Sequence, residues 1–168
     1  RFGGSSVEDA AAMRQVAALV GAALPEAPLV VLSAMGKTTD ALFAMAADAE
    51  RGALAAANAR RDEVRRRHLA TLDELCAADA PAATRAALDG LFEQLELLLR
   101  GVDLLRELSP RSMDAIASLG ERLSTTVFSG YLEHEGVPRT WLDARRVLRT
   151  DSQFGSAQPQ PAEIARLA

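Results

Sequence analysis

The chain has 168 residues, 49% hydrophobic and 4% aromatic, with 19 basic against 23 acidic side chains and a net charge of −4. That length and apolar fraction give one globular domain with a sizeable core. The acidic balance and scarcity of aromatics argue against a nucleic-acid surface, no apolar run approaches the roughly 20 residues that span a bilayer, and no charged leader precedes an apolar stretch, so cytoplasm is the expected compartment.

The chain opens Arg1-Phe2-Gly3-Gly4-Ser5-Ser6-Val7. Gly3 and Gly4 lack Cβ atoms and let a backbone cradle approach an anion closely. Ser6 and Asp9 have capping-box spacing, and Met13, Val16 and Val20 recur at helical intervals, so a helix over residues 7–23 should point its positive N-terminus at that loop. The same glycine-serine pattern also marks ordinary turns. Pro25 and Pro28 break the helix, and Leu29 to Ser33 is a continuous apolar run of strand length. Such a run reads as a strand buried on both faces of a parallel sheet. The loop after it leads to a helix that Thr38 or Thr39 could cap, and Lys37 within it could attract an anion.

From Asp40 to about Leu108 the pattern is helical, with interruptions expected at Gly52, Ala80-Pro81 and Gly101. Leu88, Leu91, Leu95, Leu98, Val102 and Leu105 form a stripe suited to core or subunit packing. The arginines from Arg60 to Arg67, interleaved with Asp62 and Glu63, read as a solvated, salt-bridged face. Cys76, the sole cysteine, cannot form an internal disulfide and follows Leu72 and Leu75 as a packing residue. Ser109-Pro110 opens a further helix with a buried face of Ile116, Leu119, Leu123 and Val127, and Gly120 within it implies a close neighbour. Further strands are expected at Thr140–Asp143 and Val147–Thr150, with a final helix from Ala162. His68 and His134 have no convincing carboxylate partners, and no metal-ligand spacing occurs.

Three segments stand in an order that resembles the aspartate kinases: the opening glycine loop, Val30 to Asp40 with Ser33, Lys37, Thr38 and Thr39, and Ser118-Leu119-Gly120-Glu121-Arg122-Leu123-Ser124. Trp141-Leu142-Asp143-Ala144-Arg145 and Arg149 to Gly155 are similar to the same family's next stretch, so the resemblance runs to about Ala157. It implies an α/β amino-acid kinase fold, present in part, with a parallel-strand core, helices on both faces and a helical insertion over about 40–108. The chain would be the N-terminal, substrate-binding part of that domain, with its first strand truncated and the nucleotide half missing, and inactive when isolated.

The implied reaction is ATP-dependent phosphorylation of the L-aspartate side-chain carboxylate to 4-phospho-L-aspartate, the first step towards lysine, threonine and methionine. Its cofactors are ATP and the Mg2+ that accompanies it, and the full-length protein would be a homo-oligomer. By the same resemblance Arg1 takes the place of a catalytic lysine, and Arg1, Phe2, Gly3, Gly4 and Ser5 line the phosphoryl site. A guanidinium is not equivalent to an ammonium there. Ser33 and Thr39 are assigned to the aspartate carboxylate, and Glu121 to its α-ammonium group. Two alternatives stay open: a sister kinase acting on glutamate or acetylglutamate, and a non-catalytic helical interaction or dimerisation fragment.

Overall fold

A computed structural model describes residues 1–167. Its frame is a sequence of helices: α1 (Ala10–Ala23), α2 (Thr38–Glu50), α3 (Leu54–Leu75), α4 (Ala82–Leu105), α5 (Pro110–Ala117), α6 (Leu119–His134) and α7 (Pro161–Leu167). Short 3-10 turns cover Gly4–Val7, Leu24–Glu26 and Ala144–Arg146. Helices α2, α3, α4 and α6 pack on one another, α5 fits against α2, and α1 lies on α3. One continuous apolar core runs through α1 to α6, from Val7 and Met13 to Phe128 and Leu132.

Local chemistry explains the helix ends. The cap of α1 is Asp9, whose carboxylate accepts the Ala12 N–H at 2.8 Å, and not Ser6 as the capping-box spacing suggested. Ser6 is instead inside the 3-10 turn, where its N–H donates to the Gly3 carbonyl. Ser109 caps α5 as expected, accepting the Ser112 N–H with Pro110 at the first position. Gly101 does not interrupt α4, which runs on until Arg106 takes a left-handed conformation with φ 54°. The Arg106 guanidinium covers Gly52 in the α2–α3 turn, where a Cβ would stand. On α4 the buried stripe is Leu88, Leu91, Phe92, Leu95, Leu99 and Val102, whereas Leu98 is half-buried and Leu105 exposed.

The arginine run on α3 divides into paired residues, the exposed Arg66 and the inward Arg67. Arg60 pairs with buried Asp48 at 2.8 Å, Arg61 with Glu96 at 2.7 Å and Arg65 with Asp89 at 2.6 Å, as a salt-bridged face requires. The exposed Arg65–Asp89 pair contributes about 0–1 kcal/mol. Arg67 has no carboxylate partner among the described residues and turns inward. Beside it His68 is fully buried, with Nδ1 donating to the Val64 carbonyl at 2.8 Å and its ring edge-on to Phe92. Burial pushes its pKa down to about 4, against the pull of the Val64 carbonyl and with a smaller push from Arg67. Cys76 is buried, and burial first, Glu135 second, raises its thiol pKa, in keeping with a packing role.

The expected parallel-strand core takes a much reduced form. Among the described residues there is no extended ladder, only an isolated parallel bridge from Phe2 to Leu32 and an antiparallel one from Thr150 to Pro159. In the first, Phe2 N–H donates to the Val31 carbonyl at 2.9 Å and Ser33 N–H donates to the Phe2 carbonyl at 3.1 Å. Leu32 is buried, but Leu29 is 82% and Val31 47% exposed, so this run is not covered on both faces. Thr140–Asp143 is irregular, and Asp143 instead opens the 3-10 turn by accepting the Arg145 N–H. An apolar run proposes a strand, but a strand forms only where a second backbone lies alongside.

The helix expected after Ser109 is kinked. Ser118 ends α5 and precedes α6 while keeping right-handed helical angles (φ −60°, ψ −18°). The kink places Gly120 and Glu121 in the first turn of α6, not in the middle of a helix.

Candidate functional site

Two glycines and a serine decide how the three sequence segments meet. A Cβ on Gly4 would stand 3.0 Å from the Ala34 carbonyl oxygen and 3.3 Å from that of Gly36. Gly36 N–H donates to the Gly4 carbonyl at 3.2 Å, with Gly36 in the left-handed region at φ +53°. The glycine loop therefore lies directly on the 33–36 turn: Gly4 leaves little room for a Cβ, and Gly36 takes a left-handed conformation that a side chain disfavours. On the other side a Cβ on Gly120 would meet the Ala34 Cβ at 2.9 Å and the Thr39 hydroxyl at 3.7 Å. Buried Ser124, one turn along α6, donates its hydroxyl to the Ser33 carbonyl at 2.7 Å.

The loop from Ser33 to Thr39 is thus held between the glycine loop and the first turn of α6. Thr39 is the second residue of α2 and Gly120 the second of α6, so the starts of two helices meet here, each with the partial positive charge of a first turn. Neither is closed by a capping side chain: Lys37 and Ser118 precede them with no cap hydrogen bond. Thr38, a candidate cap, is buried and its hydroxyl donates to the Met35 carbonyl instead. Thr39 stays half-buried at the edge of this junction. Such a place suits an anion, and a carboxylate in particular.

Among the sequence-assigned residues, Gly4, Ser33, Thr39 and the α6 turn carrying Glu121 are brought together. Glu121 is exposed, and among the described residues it has no ion-pair partner. Gly3 has open space where a side chain would be, and Arg1 and Ser5 are exposed beside it. Phe2 is half-buried against the core and its backbone makes the bridge to Leu32. Lys37 is exposed at the start of α2. An open hollow of about 430 Å3, lined by Ala144, Arg145, Leu148, Arg149 and Thr150, includes none of these residues.

The structure adds three residues to the site: Gly36, Ser124 and Arg67. Arg67 donates to the Thr38 hydroxyl at 2.6 Å and to the Met35 carbonyl at 3.2 Å. Its signal in the sequence is slight: it stands next to His68 and three residues after Val64, at the margin of the buried stripe of α3. Arg122, after Glu121, donates to Gln94 at 2.9 Å, and burial lowers its pKa. Asp143 and Arg145 act on it electrostatically, so the Trp141–Arg145 segment approaches this end of α6. Hydrogen bonds from Arg145 hold the Asp143 carboxyl down to about 2.

A model of the amino acid kinase family matches residues 1–166. The chain belongs to that family. It is 37% identical over 148 residues to aspartokinase 1 of Arabidopsis thaliana chloroplasts, covering 86% of this chain and 25% of the relative. It is 35% identical over 170 residues to lysine-sensitive aspartokinase 3 of Escherichia coli, covering all of this chain and 35% of the relative. Crystal structures of E. coli aspartokinase III superpose well. The complex with aspartate and ADP (R-state) gives a TM-score of 0.85 at 34% identity, covering 99% of this chain and 35% of that one. The complex with lysine and aspartate (T-state) gives 0.84 at 35% identity, covering 99% and 36%. The chain therefore has the amino acid kinase fold and spans about a quarter to a third of the length of these relatives. No helix among the described residues is long and apolar enough to cross a membrane.

Proposed function

We propose that this amino acid kinase chain is the aspartate-binding part of an aspartokinase, which transfers the γ-phosphoryl group of ATP to the side-chain carboxylate of L-aspartate and yields 4-phospho-L-aspartate. The observation that carries the reading is the junction of the glycine loop, the Ser33–Thr39 loop and the first turn of α6, with two helix starts that no side chain caps beside the exposed Glu121 carboxylate. An amino acid needs both: donors for its carboxylate and an acceptor for its ammonium group. In support, the related E. coli structures are complexes with aspartate, one of them also with ADP.

In this reading Ser33 and Thr39 hold the substrate carboxylate, assisted by the N–H groups at the start of α2, and Glu121 takes the α-ammonium. Gly3, Gly4 and Ser5 offer donors to the transferred phosphoryl group, with Phe2 anchoring their loop to Leu32, and Arg1 supplies positive charge there. Catalysis is then mainly positioning and charge neutralisation. Magnesium is proposed only as the ion carried by ATP. Among the described residues there is no group of three or more His, Cys, Asp or Glu side chains that could hold a metal by itself. The complete protein is proposed to act in the cytoplasm as a homo-oligomer; the exposed Leu97, Leu104 and Leu105 on α4 are compatible with subunit packing.

The test is ADP release by the complete protein with L-aspartate, L-glutamate and N-acetyl-L-glutamate in parallel. Aspartate should be the preferred substrate, and preferential turnover of either glutamate compound would overturn the reading. Replacing Glu121 with alanine should cost aspartate binding about 2–5 kcal/mol, because the substrate cation loses its partner. The carboxylate also sits in the first turn of α6, where it contributes about 0.3–1 kcal/mol to the helix, so ligand-free stability should fall by no more than that. Unchanged KM and kcat for aspartate would return Glu121 to an ordinary solvated side chain.

A further inference from the structure

Arg67 belongs to none of the three segments that form the site, yet it crosses from α3 to touch the middle of the central one. Its terminal nitrogen donates both to the Thr38 hydroxyl and to the Met35 carbonyl, and its other terminal nitrogen lies 3.7 Å from where a Cβ on Gly36 would be. Met35 and Thr38 are themselves fully buried. The guanidinium thus braces the Met35–Thr38 turn within the Ser33–Thr39 loop, a turn that Thr38 also closes itself by donating its N–H and its hydroxyl to the Met35 carbonyl. It does so at an energetic cost: Arg67 has no carboxylate partner among the described residues, and its Nε is buried with no hydrogen-bond partner. An arginine held this way is a poor device for stability alone, since a buried N–H left without a partner is expensive. Its neighbours Arg60, Arg61 and Arg65 have carboxylates, and Arg66 is exposed to solvent, so among the described residues Arg67 alone of the run turns inward without one.

We propose that Arg67 is a positioning residue for the aspartate loop. By bracing the hydrogen-bonded Met35 carbonyl and Thr38 hydroxyl from α3 it holds the turn between Ser33 and Thr39 in one orientation, and so sets affinity for the amino-acid substrate. The proposal rests on the aspartokinase reading above. The glycine loop touches this turn through the Gly36 N–H on the Gly4 carbonyl but is also held by the Phe2–Val31, Ser33–Phe2 and Ser6–Gly3 hydrogen bonds, so losing Arg67 should disturb the phosphoryl side less than the aspartate side.

The experiment compares the complete protein with Arg67→Met, which keeps the stem and removes the donors, and with Thr38→Val and Thr38→Ser, which remove and retain the acceptor. Arg67→Met should raise the KM for aspartate by about 10- to 100-fold, the span expected for losing hydrogen bonds from a charged donor, while the KM for ATP changes by less than about threefold. Thr38→Val should reproduce that pattern and Thr38→Ser should not. The double variant Arg67→Met/Thr38→Val should be no worse than the poorer single one, because both remove the same link. Arg65→Met, which breaks only the surface pair with Asp89, should behave as the unaltered protein. If Arg67→Met does not fold, Thr38→Val and Thr38→Ser decide alone. A wild-type KM for aspartate in Arg67→Met or Thr38→Val, equal losses for aspartate and ATP, or additive effects in the double variant would each overturn the proposal. If the unaltered protein does not use aspartate, the functional reading fails first, and that outcome is distinct.

Discussion

The helical body over residues 38–134 and the apolar segments at 29–33 and 140–150 contain similar side chains but end in different states. In the body, Leu42, Leu72, Leu88, Leu95 and Leu123 are essentially inaccessible to water. In the segments, Leu29, Val31, Trp141, Leu142 and Leu148 are exposed. A helix closes its hydrogen bonds within itself and needs neighbours only to cover one stripe, whereas a strand needs a second backbone before it exists at all. The only backbone lying along 29–33 among the described residues is that of Phe2, which secures a single bridge. The difference also bears on the site, because the loop after that segment is held in place by helices rather than by a sheet: Gly120 and Ser124 of α6 on one side and Arg67 of α3 on another.

If the body carries the stability, truncating its core should have the largest effect. Leu95 is fully buried on α4 within the core cluster shared with α6. Leu95→Ala should cost about 2–5 kcal/mol in unfolding free energy, from lost burial plus a residual cavity. Chemical denaturation monitored by circular dichroism would measure it. A loss below about 1 kcal/mol would mean that the helices do not pack as one core and would dissolve the contrast.

The next effect comes from the same body and depends on pH. His68 is buried and neutral, with its pKa lowered to about 4 from 6.5. Above pH 6.5 the ring is neutral in both folded and unfolded chains and contributes no pH dependence. As pH falls below 6.5 the unfolded chain takes up a proton that the folded chain refuses, so stability declines until about pH 4 and then levels off. A shift of this size corresponds to about 3 kcal/mol across that window. His68→Leu should flatten this part of the stability profile relative to the unaltered chain, while the acidic residues keep their own dependence at lower pH. An unchanged slope between pH 6.5 and 5 in the variant would mean that water reaches the ring.

How far the sequence could be read follows the same division. The helices α1, α3 and α4 and the Ser109-Pro110 start were visible because periodicity and capping are local. The kink at Ser118 was hidden, since Ile116, Leu119, Leu123 and Val127 keep their spacing across it and Ser118 keeps helical angles. The strands at 140–143 and 147–150 failed because β-branched and aromatic content says nothing about whether a partner lies alongside. In the site, the order of the glycine loop, Ser33–Thr39 and Gly120-Glu121 is legible, and so is the close approach at Gly120. The neighbours it approaches, Ala34 and Thr39, are some 80 residues away in sequence and only the folded chain identifies them. Arg67 was illegible for a related reason: in a run where Arg60, Arg61 and Arg65 face carboxylates, nothing local distinguishes the one that turns inward.

The smallest effect belongs to the segment outside the body. Leu29, at 82% exposure, and Val31, at 47%, present apolar surface beside a single bridge. Leu29→Ser and Val31→Thr should each change the unfolding free energy of the 168-residue chain by no more than about 0.5 kcal/mol, as for other exposed positions. Their visible consequence should be in solution behaviour instead. A short apolar edge with free N–H and C=O groups is a template for pairing with another chain, and a polar substitution there weakens the template. Static light scattering over a concentration series should therefore show less self-association for the double variant than for the unaltered chain, at equal stability. A stability loss above about 1.5 kcal/mol in either single variant would show that residues 29–31 are packed in solution, and the contrast between covered helices and uncovered strand would then have to be withdrawn.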